Sequence, residues 1–199
     1  MVRIKSSLRL IFTVFIAKKP SQKLIQLNIL HEEIYSVSRF GITVSAICRK
    51  LSVHNIKRHI IYDGKFDPVN LMEECGDLFW YLALYIHTTG RNGRLVDAVI
   101  ADDVKVSKGK EILINTCLNL ADLTSAFHTT QGSNDLKLIC GTAGALKTLL
   151  VASGYTVEQA LNRNIEKLAQ RYGDRYTDYL ALNRDTEAEL VALKGEASV

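Results

Sequence analysis

The chain has 199 residues, of which 47% are hydrophobic and 23% charged, and this composition can bury a core and excludes a disordered chain. Its formal net charge of +4 is too small to indicate nucleic acid as the partner, although a local group of cations would suit a small anionic ligand. With only two prolines and long stretches of apolar residues at helical spacing, the sequence predicts an all-α fold.

The first 20 residues are predicted to form an N-terminal arm. Their apolar run at residues 8–17 follows basic residues, as in a signal peptide, but Lys18-Lys19-Pro20 comes directly after it and no small-x-small cleavage site is present. The run is also too short to span a bilayer. We therefore expect a cytoplasmic protein that has no membrane partner.

Apolar periodicity next predicts a series of helices. The pattern breaks at Gly41 and at "DGKFDP", "GRNGR" and "TTQGSN", and Thr156 with Gln159 forms a capping box for the last helix. A mixed stretch at residues 95–111 is expected to include a short extended piece. The predicted helices cover about residues 21–40, 43–62, 70–90, 112–128, 136–153 and 157–172.

The helix pair around "DGKFDP" is similar to the pair around "TTQGSN" in length, order and apolar spacing. One interpretation is a duplicated two-helix unit, with repeats at residues 41–90 and 107–154 that form a four-helix core. The other is a coincidental similarity between two apolar helix pairs. Either way, residues 21–185 are predicted to form one helical domain, followed by a C-terminal tail at residues 186–199.

Three carboxylates lie in the first two turns of the otherwise apolar helix at residues 70–90. On a helix of about 3.6 residues per turn, Glu74 and Asp77 meet on one surface, and Glu73 approaches Asp77 from the preceding turn. Because like charges at this spacing repel one another, they require compensation. A hard divalent cation such as Mg²⁺ or Mn²⁺ would supply it, and the positive end of the helix dipole is the alternative.

The helix at residues 157–172 carries the opposite charge beside its apolar stripe. Asn164, Lys167 and Arg171 share one edge, at positions i, i+3 and i+7. An amide and two cations in a row suit a chain of phosphates, whereas the alternative is a solvated face with cations near the helix C-terminus. Together with the acidic helix, this edge indicates Mg²⁺-dependent chemistry on a nucleoside polyphosphate, although no GxxxxGK[ST] phosphate loop occurs.

Two segments of the chain resemble MazG-like nucleotide pyrophosphohydrolases, which belong to the all-α NTP pyrophosphatase superfamily. The segments are "IKRHIIYDGKFDPVNLMEECGDLFWYLALY" and "TVEQALNRNIEKLAQRYGDRYTDYLALNRD", and they follow the order of the family. The resemblance implies a four-helix core, a homodimer or homotetramer, and Mg²⁺-dependent cleavage of a nucleoside triphosphate to the monophosphate and pyrophosphate. It assigns Glu74 and Asp77, the ExxD motif, as catalytic metal ligands with Glu73 close by. It also assigns Asn164, Lys167 and Arg171 as substrate contacts.

The sequence departs from the family at the first acidic motif, EExxE. The helix that should carry this motif reads "AICRKLSVHNIKRHII" and contains no acid, while the nearest acidic pair, Glu32-Glu33, lies one helix earlier. Three outcomes are open: Glu32 and Glu33 complete the metal site, a second subunit supplies acids, or the protein binds a nucleotide-like ligand without cleaving it. The first two outcomes favour a hydrolase, and the third favours a catalytically inactive nucleotide-binding or interaction module.

Overall fold

The structure, a computed structural model, describes residues 45–46, 50, 57–89, 94–102, 105–106, 109–129, 135–172 and 178–195. Every element of regular secondary structure in these ranges is helical, so the predicted all-α fold is confirmed. The N-terminal arm, the predicted helix at residues 21–40 with Glu32 and Glu33, and most of the predicted helix at residues 43–62 lie outside the described residues. The internal repeat, whose first unit includes that second helix, therefore stays a prediction.

The four long predicted helices that the structure describes are present, and each of their ends lies within two residues of its predicted position. In chain order the helices are α1 (Arg58–Ile60), α2 (Pro68–Thr88), α3 (Arg94–Ala101), α4 (Lys110–Thr129), α5 (Asp135–Ala152), α6 (Val157–Tyr172), α7 (Asp178–Leu182) and α8 (Thr186–Lys194). The predicted capping box is also confirmed: the Thr156 amide donates to Gln159 Oε1 at 2.8 Å, and the Gln159 amide donates to Thr156 Oγ1 at 3.1 Å.

The core forms where α2 packs against α5 and α6. The apolar stripe predicted on α2 is buried along its whole length, as its spacing of three and four residues requires. The residues of that stripe are Leu71, Cys75, Leu78, Leu82 and Ile86. On the other side of α5, α4 and α3 cover its remaining surface, and α8 packs on α6. Helix α6 therefore lies between α2 and α8, which is the arrangement that positions the polar residues described below.

The first part of the stretch after the "GRNGR" joint is helical, so the extended piece predicted within residues 95–111 does not lie in residues 95–101. Val96 and Ile100 are one helical turn apart and both are buried, so α3 has an apolar face to pack on α5. The buried Lys147 of α5 caps the end of α3, because its ammonium donates to the Val99 carbonyl at 3.1 Å and to the Asp102 carbonyl. Carbonyls at a helix C-terminus lack partners within the helix, and Lys147 supplies one.

Residues 186–194, which the sequence assigned to the C-terminal tail, form the ordered helix α8. Asp185 caps its first turn by accepting from the Ala188 amide at 3.0 Å, and Gly195 ends it with a φ of 75°, a left-handed conformation that glycine adopts without strain. Glu189 and Leu193 are buried one turn apart, toward α6.

No single described helix is both long and apolar enough to cross a membrane. Helices α5 and α6 meet the length and composition requirements only when taken together across a bend of 95°.

Candidate functional site

Helices α2 and α6 are in close contact at Gly76. A Cβ atom on Gly76 would lie 2.9 Å from the Ala160 carbonyl oxygen and 3.1 Å from the Asn164 Cβ, so a larger residue would push the helices apart. The acidic residues Glu73, Glu74 and Asp77 lie within three positions of Gly76 on α2. The close contact at Gly76 therefore brings this part of α2 within reach of the side chains of α6. The two charged edges predicted from the sequence therefore lie against each other.

Lys167 joins those two edges directly. Its Nζ atom lies 2.6 Å from Asp77 Oδ1 and 3.3 Å from Glu73 Oε1, so two carboxylates of α2 converge on one ammonium group of α6. The Lys167 side chain is only 1% exposed, whereas Glu73 and Asp77 are 17% and 28% exposed. The ammonium is thus enclosed by protein, and the two carboxylates retain a route to solvent.

Glu74 does not take part in this contact. Its side chain is buried and forms an ion pair with Lys50, which belongs to the region before α1. Burial raises the pKa of the Glu74 carboxyl, and the Lys50 ammonium opposes that rise only in part. A step of one residue on a helix rotates a side chain by about 100°, so Glu73 and Glu74 leave α2 in different directions.

Within the described residues, no three His, Cys, Asp or Glu side chains are arranged to hold one metal ion. Glu73, Glu74 and Asp77 therefore do not act as a single three-carboxylate group there. Glu73 and Asp77 do converge, and Mg²⁺ in nucleotide sites is commonly held by one or two carboxylates together with the phosphates of the substrate. This pair fits such an ion, while Glu32 and Glu33 lie outside the described residues.

Asn164 lies beside this contact, next to Gly76, and is 3% exposed. Its Oδ1 atom is buried and accepts no hydrogen bond from any residue that the structure describes. A buried carbonyl oxygen without a donor is unfavourable by about 1–3 kcal/mol, so this amide can gain free energy from an added hydrogen-bond donor. A ligand hydroxyl or amine at this point would supply one.

Arg171, the third residue of the predicted basic edge, binds a carboxylate of α8 in the structure. Its Nε donates to Glu189 Oε1 at 2.7 Å and its Nη2 donates to Glu189 Oε2 at 2.6 Å. Arg184 approaches the same carboxylate, with Nε 3.3 Å from Oε1 and Nη2 2.6 Å from Oε2. Burial alone would raise the pKa of Glu189, but the hydrogen bonds from Arg171 and Arg184 outweigh it and lower the pKa to about 2.

Glu189 and Arg184 are polar residues that the sequence analysis missed. The available signal was the spacing of Glu189 and Leu193 on one face of a short amphipathic helix, which places a carboxylate on the buried side. A buried carboxylate requires a cation, and Arg184 is the nearest arginine in the sequence before it.

No protein-family model, curated protein or solved structure matches this chain.

Proposed function

We propose that this chain is a MazG-like nucleotide pyrophosphohydrolase, which uses Mg²⁺ or Mn²⁺ to cleave a nucleoside triphosphate to the monophosphate and pyrophosphate. The observation that carries the proposal is the convergence of Glu73 and Asp77 on Lys167. Two carboxylates of the kind that bind Mg²⁺ and a cation of the kind that binds phosphate thus lie together, on the two helices whose sequences resemble that family, and this supports the proposal.

Lys167 compensates the two carboxylates while no ligand is bound. Two carboxylates this close repel each other, and the enclosed ammonium offsets that repulsion. With substrate present, Glu73 and Asp77 would hold the divalent ion. The Lys167 side chain, enclosed while no ligand is bound, would have to move outward for its ammonium to donate to a phosphate oxygen. When bound, such an ion neutralises part of the phosphate charge and lowers the pKa of a water molecule that it holds.

Asn164, which lies beside the same contact, would orient the ligand, because its buried Oδ1 has no hydrogen-bond donor among the described residues. Arg171 would reach a phosphate at the other end of the edge. Glu74 is turned toward Lys50, so its expected role as a catalytic metal ligand depends on a change of conformation that frees its carboxylate.

The second candidate is a catalytically inactive nucleotide-binding or interaction module on the same scaffold. The orientation of Glu74 favours this candidate, because its carboxylate pairs with Lys50 and leaves Glu73 and Asp77 as the two carboxylates that meet at Lys167 in the described part of the chain. In that case the ligand binds at Lys167 and Asn164 and leaves unchanged. The family resemblance also implies a homodimer or homotetramer, which light scattering of the purified chain would measure.

The test is pyrophosphate release from a panel of NTPs and dNTPs with Mg²⁺ or Mn²⁺, measured beside thermal shifts for the same ligands. We expect turnover by the wild type and a loss of at least about 100-fold in Asp77→Asn, since the variant keeps its shape but loses a charged metal ligand. Asp122→Asn, which changes an exposed carboxylate on α4, serves as the matched control and should retain full activity.

Thermal shifts without turnover would favour the inactive module over the hydrolase. Neither shifts nor turnover with any nucleotide would overturn both candidates. A thermal shift measured with Mg²⁺ alone is independent of activity. Mg²⁺ should raise the melting temperature of Lys167→Met more than that of the wild type, because Glu73 and Asp77 are no longer paired with the Lys167 ammonium in the variant.

A further inference from the structure

Arg171 and Arg184 form a pair of guanidinium groups that share one carboxylate. Both arginines bind Glu189 through Nε and Nη2, which fixes the planes of the two groups against the same two oxygen atoms. The pair carries two positive charges and Glu189 carries one negative charge, so the group of three retains a net charge of +1. We refer to these three residues as the arginine pair and its carboxylate.

Arg184 is the more accessible member of the pair. Its side chain is 41% exposed, whereas that of Arg171 is 14% exposed and lies over the Tyr172 ring with 5.6 Å between Cζ and the ring centroid. A guanidinium has about five N–H donors, and Arg184 uses two of them on Glu189. Within the described part of the chain its other donors have no hydrogen-bond partner, so they can bind an acceptor that approaches from solvent.

The arginine pair also lies beside the contact between α2 and α6. Arg171 is one helical turn beyond Lys167 on α6, and the two share an edge. The hydrogen bond to Glu189 raises the pKa of Arg184, whereas burial and the charge of Arg171 lower it. The charges of Glu189 and Glu73 add to the rise. Helix α8, which Arg184 directly precedes, also contacts α2, the helix that carries Glu73.

We infer that Arg184 is a phosphate-binding residue, and that Glu189 is the positioning residue that holds its guanidinium beside that of Arg171. This inference rests on the proposed function, since it extends the same site toward the polyphosphate chain of the ligand. Lys167, Arg171 and Arg184 then form a row of three cations, of which the last is contributed by the segment between α7 and α8. A fork of N–H donors matches a phosphate group in a way that a single ammonium does not.

The test uses inorganic tripolyphosphate with Mg²⁺, titrated into the full chain by calorimetry, so that neither a base nor a hydrolytic step is required. We expect Arg184→Gln to weaken binding by at least about tenfold and Arg184→Lys by about threefold, because lysine keeps the charge and loses the fork. Arg163→Gln is the matched control: it removes an arginine of α6 that pairs with the exposed Glu166, and it should bind within about twofold of the wild type.

Glu189→Gln separates positioning from charge. Removal of a negative charge alone would strengthen the binding of an anion, whereas loss of positioning weakens it, and we expect weaker binding by about fivefold at a temperature where circular dichroism shows the variant folded. A purely structural role for Arg184 would lower the melting temperature and leave the dissociation constant of the folded protein unchanged.

Binding within about twofold of the wild type in both Arg184 variants would overturn the inference while leaving the proposed function intact. Tripolyphosphate binding that depends on Arg184 in a chain without NTP turnover would support the inference and count against the hydrolase. No binding by the wild type at millimolar tripolyphosphate would overturn the inference.

Discussion

The two polar contacts of α6 have opposite charge balances. Toward α2, two carboxylates and one ammonium leave a net charge of −1, and toward α8, two guanidinium groups and one carboxylate leave +1. The first contact is suited to an added cation and the second to an added anion. A metal–polyphosphate complex contains both, so the difference between the two ends of one helix edge explains how a chain with a modest total charge can attract such a ligand.

The largest predicted effect lies at the positive contact. Glu189→Gln removes the buried charge that two arginines share and leaves their guanidinium groups, of which that of Arg171 is largely buried, to repel each other. We expect a loss of about 3 kcal/mol in the free energy of unfolding, measured by urea denaturation at pH 7.

The control for that measurement is Glu187→Gln, an exposed glutamate of the same helix, which should change stability by no more than about 0.5 kcal/mol. Equal effects of the two substitutions would show that the arginine pair does not depend on Glu189. The contrast in net charge between the two contacts of α6 would then have no effect on stability.

A smaller effect is expected where α2 and α6 meet. Gly76→Ala places a methyl group 2.9 Å from the Ala160 carbonyl, so the helices must separate, and we expect a loss of about 2 kcal/mol despite the better helix propensity of alanine. Gly144→Ala on α5 is the matched substitution, because its nearest neighbour is Val99 Cγ1 at 3.5 Å, an ordinary contact. It should stabilise the protein by about 0.5–1 kcal/mol.

Thermal denaturation of both glycine variants measures this pair of outcomes. Similar shifts of the melting temperature in the same direction would contradict the prediction. They would show that the close contact at Gly76 does not determine the distance between α2 and α6.

The smallest predicted effect is the pH dependence of the positive contact. The pKa of Glu189 in the folded protein is about 2, below its ordinary value of 4.5, so its stabilising contribution is complete above about pH 4.5 and is lost as the pH falls toward 2. The difference in unfolding free energy between the wild type and Glu189→Gln should therefore shrink by about 1.5 kcal/mol between pH 6 and about pH 3.5. A difference that is constant across this range would contradict the assignment of the charge to Glu189.

The sequence predicted the parts of the fold that depend on local spacing. The apolar stripe of α2 and the capping box of α6 follow from residues at most four positions apart, and both are confirmed. The helix α3 was missed because its eight residues are short for a periodicity signal and stand next to a polar stretch rich in lysine. Its stability comes from packing on α5 and from the hydrogen bonds of Lys147, and both contributions are tertiary.

The site was predictable only as two separate edges. Sequence spacing placed Glu73 and Asp77 on one helix and Lys167 on another, but their direct contact depends on how closely two helices cross, which periodicity does not specify. The different direction of Glu74 depends on Lys50. Glu189 was assigned to a tail because nine residues of helix next to the end of a sequence carry little pattern.

The position of Glu189 in the chain has a consequence for the order of assembly during synthesis. A ribosome extends the chain from its N-terminus, so Arg171 and Arg184 are synthesised before the carboxylate that holds them, and α2 and α6 are both made before α8. The negative contact is thus the first of the two that a nascent chain can complete. Until Glu189 follows, Arg171 and Arg184 lack the carboxylate of α8 that holds them side by side.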